Sequence, residues 1–344
     1  MNRIFPFIDW LKTYRKEWFL RDLFAGLTVA VVLVPQSMSY AMIAGLPPIY
    51  GLYAASIPSI VAALWGSSRL LSTGPVAIVS LLTFSSILPY AKPGSVEFIA
   101  MAINLAAIVG TIQLLMGVFK MGFVMRFVSH PVIVGFTNAG AIIIATTQIK
   151  HLLGINLKDS EFILPVFVDI FKNIPNTNVY TLMVGLVSIA IILGGKRINS
   201  NFPSAMFAAL LAILCGYFFK IEQYGVSIVG QMPSGFPSFS LPFTGHMEVF
   251  VERDIPSIIS IIPTFIDIET SFRLIGPGIV IAIVGFMEAL AISKSIAEKT
   301  KEHLNINQEL IGQGMSNIVG SFFNSFAVSG SFSRSAVNLQ AGDR

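Results

Sequence analysis

The chain has 344 residues, 54% hydrophobic and only 12% charged, with a formal net charge of +4. A soluble domain carries about 25% charged residues. With a mean hydropathy of +0.76, this composition excludes an ordinary soluble domain and points to an all-α integral membrane protein with several spans. One cysteine, Cys215, leaves no disulfide framework or CxxC motif, and the four histidines (His130, His151, His246 and His303) lack HExxH spacing. No metal, cofactor or nucleic-acid partner is expected.

The first 22 residues, MNRIFPFIDWLKTYRKEWFLRD, are charged and amphipathic, without the continuous apolar core of a cleavable signal. Segment 1–22 reads as a cytoplasmic interfacial helix with Trp10, Trp18 and Phe19 at the headgroups; a plain polar tail is the alternative. A spanning helix needs about 20 apolar residues. Leu23 to Ser68 is 46 residues without a charge. That makes two spans, near 23–44 and 51–66, broken at GLPPIYG (45–51). Within the first, VVLVPQSMSY is expected to break at Pro35. Gln36, Ser37 and Tyr40 can present donors to one cavity there, or serve interhelical packing.

Further spans are placed near 75–90, 98–118, 128–148, 179–194, 202–219, 272–293 and 307–322, with a tenth segment from about 332. Gly110–Gly117, Gly185 and the polar residues Asn138, Thr146, Thr147 and Gln148 read as helix-packing glue. The connection 220–271 reads as an external loop, its 12-residue apolar stretch Ile255 to Ile266 being too short to span. With the N-terminus inside, thirteen Lys and Arg lie in inside segments and seven in outside ones, so a cytoplasmic N-terminus is expected. Glu288, in GFMEALAIS, is an intramembrane carboxylate: a proton-coupling candidate, a snorkelling glutamate, or a member of a structural ion pair for which Arg334 is one partner on offer.

Two segments are odd in the same way. The third span opens with LLSTGPVAIVSLL and the tenth with VSGSFSRSAVNL. Each places a Ser/Gly-rich stretch at membrane depth before a helix start, with Pro75 as a first helical residue and Ser331 or Ser333 as a cap. Such backbone is tolerated only inside protein or along a watery cavity, and a matched pair of interruptions points to a transporter's binding site. The offset of seven spans suggests two inverted seven-helix repeats, the first whole and the second partial, whose half-helices meet at the midplane. Two facing helix N-termini favour an anion. Arg334 falls in the first turn of the second half-helix, where it opposes the helix dipole unless an anion compensates; the alternative is an arginine that merely marks a helix end.

The residues 22–82, from DLFAGLTVAVVLVPQSMSY through GLPPIYGLYAASIPSIVAALWGSSRLLSTGPVAIVSLL, together with FVSHPVIVGFTNAGAIIIATTQIKHLLG (127–154), GFMEALAISKSIA (285–297) and GSFSRSAVNLQAG (330–342), resemble the SulP family of sulfate permeases and anion exchangers. The resemblance implies a fourteen-helix inverted-repeat fold in which a core domain moves against a gate domain. In this chain that gives core parts at 23–118 (spans 1–4) and 272–344 (spans 8–10), and a gate part at 122–219 (spans 5–7). It further implies an anion pocket formed by Gln36, Tyr40, Pro75, Val76, Ala77, Ser333 and Arg334, with Glu288 at the position linked to cation coupling. Family members form homodimers and carry a cytoplasmic STAS domain. By this resemblance the chain is a C-terminal truncation lacking the last four spans and STAS, and Asp343 stands where a small residue is usual.

The expected function is secondary transport of an inorganic anion, sulfate first, by alternating access in the plasma (inner) membrane, with proton or sodium coupling. Bicarbonate, chloride or dicarboxylate transport or exchange, an anion channel and a non-transporting membrane subunit are the alternatives. Sulfate is favoured over bicarbonate on Arg334 and Glu288. No enzyme is expected, since the spans do not cluster His, Asp or Cys.

Overall fold

A computed structural model describes residues 6–12, 14–126, 130–155, 163–198, 204–230, 232, 235–242, 244–245, 264–265 and 268–341. The chain divides into two compact units, one made of residues 1–135 and 233–344 and the other of 136–232.

In the first unit, α1 (Phe7–Lys12) is a short helix, and α2 (Lys16–Ile43) begins before the expected first span. Trp18 and Phe19 therefore lie on α2 itself rather than on a separate interfacial helix, and the Trp10 side chain lies outside the described residues. Phe19, Leu20, Phe24, Leu27 and Val34 are exposed, as suits a face turned to lipid. Pro35 does not break α2, contrary to the expectation. Ser37 Oγ donates to Val34 O at 2.9 Å and Ser39 Oγ to Pro35 O at 3.0 Å, so hydroxyls bond to the backbone around the proline.

The turn at 44–47 ends α2 where expected. Gly45 takes φ +75, which a side chain disfavours, and Pro48 opens α3 (Pro48–Trp65) at a position where a missing N–H leaves no partner unpaired. Strand β1 (Ser72–Gly74) and the 11-residue α4 (Ala77–Ile87) stand where a third span was expected. Helix α5 (Val96–Val118) is capped by Ser95 Oγ, which accepts from Phe98 N at 3.2 Å.

Helix α6 (His130–Leu153) crosses from the first unit into the second, which holds α7 (Ile163–Asn173), α8 (Val179–Ile198) and α9 (Ser204–Phe219). Helix α7 was not anticipated. It bends by 114° into α8, and together they are long and apolar enough for one broken span. Asn178 fixes the corner: its Oδ1 accepts from Thr181 N at 2.9 Å and its Nδ2 donates to Tyr224 O at 2.9 Å. Gly185 packs on Leu152, so the small-residue reading holds there. Thr146 and Thr147 instead bond carbonyls of their own helix, Ile142 and Ile144, and Asn138 is exposed.

The remainder of the first unit contains the short strands β2 (Thr244–Gly245) and β3 (Thr264–Phe265), α10 (Ile268–Arg273), α11 (Ile275–Thr300), α12 (Ile306–Ser321), β4 (Ser329–Ser331) and α13 (Phe332–Ala341). Most of the apolar stretch 255–266, and Asp343, lie outside the described residues. Among the described residues, four helical segments, Lys16–Ile43, Pro48–Trp65, Val96–Val118 and Ser271–Thr300, are each long and apolar enough to cross a membrane.

Helix α12 is shorter and richer in polar residues, and its backbone lies against α5 and α3. A Cβ on Gly314 would fall 2.5 Å from Leu114 N and 2.8 Å from Gly110 O, and one on Gly312 would fall 2.6 Å from Gly66 Cα. Glycines here permit a backbone-to-backbone approach that no other residue allows. The main apolar core, including Val79, Phe98, Leu105, Ile281 and Phe326, packs α4, α5, α11 and the 326–328 segment together. It therefore includes residues of both broken segments, Val76, Val79 and Ile87 of one and Phe326, Ala327 and Val328 leading into the other.

A candidate anion site between two helix starts

Strands β1 and β4 pair antiparallel, with Ser72 opposite Ser331, Thr73 opposite Gly330 and Gly74 opposite Ser329. Each strand runs into a short helix, β1 through Pro75 and Val76 into α4, and β4 directly into α13. Because the strands run in opposite directions, the helices leave in opposite directions and their N-termini flank one ladder. Pro75 is not the first helical residue, as the sequence had implied. Val76 occupies the N-cap with extended backbone and no side-chain cap bond, and Ala77 starts the helix. The first N–H groups of α4 thus have neither an intrahelical partner nor a capping side chain.

Arg334, the third residue of α13, is 0% exposed. Its Nη1 donates to Pro75 O at 2.9 Å and to Gln36 Oε1 at 3.5 Å, and its Nε donates to Ser72 Oγ at 3.4 Å. One side chain thereby joins the starts of both short helices and the first span. Gln36 Nε2 donates to Tyr40 OH at 2.9 Å and to Ser333 Oγ at 3.4 Å. Gln36, Tyr40, Pro75, Ser333 and Arg334 are thus linked in one hydrogen-bonded set, with Val76 and Ala77 next to it along the chain. Ser37 is not part of it. It is fully buried, bonded within its own helix, and its backbone abuts Gly51.

Arg334 Nη2 is buried and has no hydrogen-bond partner, and Glu288 Oε2 is in the same condition. The two do not form an ion pair with each other, so one of the alternatives weighed for Glu288 is not realised. Glu288 belongs to α11, whose Gly285 O accepts from Ser329 Oγ of β4 at 2.6 Å. A buried donor without a partner costs about 1–3 kcal/mol, more when charged. The site therefore combines a guanidinium whose Nη2 is unpartnered and a helix N-terminus without a side-chain cap, and no carboxylate among the described residues forms an ion pair with Arg334. Donors of these kinds can hold an anion.

The profile of the sulfate permease family matches residues 19–344. The chain belongs to this family. Similar curated proteins are the chloroplastic sulfate transporter 4.1 of Arabidopsis thaliana, 37% identical over 99% of this chain and 47% of that protein, and the sodium-independent sulfate anion transporter of Bos taurus, 34% identical over 99% and 57%. The murine anion transporter Solute Carrier 26 family member A9, solved in an inward-facing state, superposes with a TM-score of 0.85 at 25% identity, over 99% of this chain and 56% of that one. The chain spans about half the length of the curated relatives it matches. The family match and the structural likeness agree with the all-α transporter fold expected from the sequence.

The polar face of α12, formed by Glu309, Gln313 and Asn317, escaped the sequence reading although it contacts both broken segments. Its signal was present: three polar residues at spacing four in NQELIGQGMSN, inside a stretch read as an apolar span.

A Cβ on Gly74 would fall 3.0 Å from Arg334 Nη2. Gly74→Ala is therefore expected to push the guanidinium off Pro75 O while leaving the fold intact. A structure of the full-length variant should show that hydrogen bond opened, and an unmoved guanidinium would contradict the packing described.

Proposed function

We propose that this chain forms part of a secondary active transporter that carries an inorganic anion, sulfate first, by alternating access. The observation that carries the reading is Arg334: a buried guanidinium with an unpartnered Nη2, placed across the starts of α4 and α13. Gln36, Tyr40, Pro75, Val76, Ala77, Ser333 and Arg334 are the anion-contacting residues in this reading. Helix N-termini contribute about half a positive charge each. Removed from bulk water, that charge and one guanidinium attract a small oxyanion without needing a metal. The names of the Arabidopsis and bovine relatives support sulfate as the first candidate.

In the cycle we propose, the core parts at 23–118 and 272–344 carry the anion past the gate part at 122–219, exposing the site to one side of the membrane and then the other. Because the site lies between two elements held by one ladder, it travels as a unit. Glu288 is the coupling group. Its unpartnered oxygen can take a proton when the anion binds, which offsets part of the negative charge carried into the pocket. The bovine relative is sodium-independent by name, which favours the proton over sodium here. A homodimer in the plasma (inner) membrane with a cytoplasmic N-terminus completes the proposal; the excess of Lys and Arg in the inside segments supports the orientation.

The test is uptake by the full-length protein in proteoliposomes across sulfate, bicarbonate, chloride and dicarboxylates, with and without a pH gradient. Losing a charged hydrogen-bond partner costs about 1.5–3 kcal/mol, so Arg334→Ala should weaken half-saturation by about tenfold to a hundredfold. Wild-type kinetics in that variant would return Arg334 to a structural role. Glu288→Gln should flatten the pH dependence of uptake and its response to a pH gradient; an unchanged pH profile would show that Glu288 does not carry the proton.

A further inference from the structure

Helix α12 presents Glu309, Gln313 and Asn317 on one face, four residues apart. Their exposures are 2%, 1% and 1%. A helix amid apolar neighbours thus buries a carboxylate and two amides, and each reaches a different part of the broken segments. Glu309 Oε2 accepts from Ser67 N at 2.8 Å and Ser68 N at 2.9 Å, in the turn that leads to β1. Gln313 Nε2 donates to Thr73 Oγ1, in the middle of β1, at 2.8 Å. Asn317 holds Val328, next to β4, from both sides: its Nδ2 donates to Val328 O at 3.1 Å and its Oδ1 accepts from Val328 N at 2.7 Å. The stripe is tied together as well. Gln313 Nε2 approaches Glu309 Oε1 at 3.4 Å, and Asn317 Nδ2 donates to Gln113 Oε1 of α5 at 3.0 Å.

A two-stranded ladder is at best marginally stable by itself, and here each strand has only three residues. Something rigid must hold it. Helix α12 qualifies, because its glycines seat it against the backbone of α5 and α3. We propose that Glu309, Gln313 and Asn317 are positioning residues that set where the starts of α4 and α13 stand, and so set the affinity of the pocket between them. This rests on the reading of that pocket as the anion site. The three side chains act on Arg334 only through the strands: Thr73 lies beside Ser72 and Gly74, which the guanidinium touches or abuts, and Val328 is six residues before Arg334. Gln313 Oε1 is left without a partner, so the bonds that hold the strands are those of Glu309 Oε2, Gln313 Nε2 and both polar atoms of the Asn317 amide, and losing any of them frees a strand to shift.

The experiment uses the full-length protein in proteoliposomes with sulfate as the probe, comparing wild type, Gln313→Met, Thr73→Val and the double variant. Each single change removes one side of the same hydrogen bond. Each should raise half-saturation about tenfold, with turnover per folded transporter kept within about twofold, and the double should be no worse than the poorer single. Unchanged half-saturation, with uptake falling only in proportion to folded protein, would overturn the proposal. Should Gln313→Met fail to fold, Thr73→Val alone carries the comparison, since valine keeps the shape and suits a strand. A second measurement does not depend on transport. Amide hydrogen exchange should speed up at 67–74 and 328–331 in these variants and stay unchanged in α5; unaltered exchange at those segments would equally overturn the proposal. If wild type shows saturable uptake of no anion, the anion reading fails, while the exchange data still decide whether α12 positions the strands.

Discussion

Removed from water, a backbone amide must find a partner within the protein, and two segments of this chain stop being strands only to become short helices, the first of them without a side-chain cap. The six-residue ladder between β1 and β4 satisfies part of that demand. It also fixes the starts of α4 and α13 at the two ends of one short ladder. Every other feature of the site follows from this constraint. The uncapped end of α4, the convergence of Gln36, Tyr40 and Ser333, and the buried position of Arg334 are consequences of two strands pairing where two spans would otherwise have passed.

The arrangement is electrostatically one-sided. Arg334 is fully buried, yet its hydrogen bonds go to a carbonyl, an amide oxygen and a hydroxyl, none of which cancels its charge. The nearby carboxylate, Glu288, remains unpaired with it. The one buried carboxylate that is well bonded, Glu309, is occupied with the Ser67 and Ser68 amides. Glu309 is thus committed to the scaffold, while Glu288 is near enough to act on the charge of Arg334 without bonding to it. Close packing of α12 on α5 and α3 through Gly312 and Gly314 holds the scaffold while the surrounding helices remain free to present apolar faces to lipid.

Much of this was legible in the sequence because lipid imposes simple rules. Charge-free runs of span length located α3, α5, α8 and α9 to within about four residues. Helices α2 and α11 were found too, but α2 starts and α11 ends seven residues beyond the expected bounds because charged residues extend them; STGP and SGSFSR marked the two interruptions. Local rules served less well where neighbours intervene. Pro35 was expected to break α2, but the helix runs through it, with Ser37 and Ser39 hydroxyls bonding to carbonyls beside it. Pro75 was placed at the first helical residue, whereas strand pairing shifts the start to Ala77. Helix α7 escaped because an 11-residue amphipathic segment resembles a loop when only long apolar runs are sought. Glu309, Gln313 and Asn317 escaped for a related reason: their role depends on what lies across from them, and periodicity along one helix does not reveal its partner.

The most direct measurement is anomalous diffraction from the full-length protein with selenate, an isostere of sulfate. The account predicts a selenium peak between the starts of α4 and α13, with a selenate oxygen within hydrogen-bond distance of Arg334 Nη2. A peak elsewhere in the protein, or an Arg334 Nη2 bonded to a protein group with no peak beside it, would contradict it.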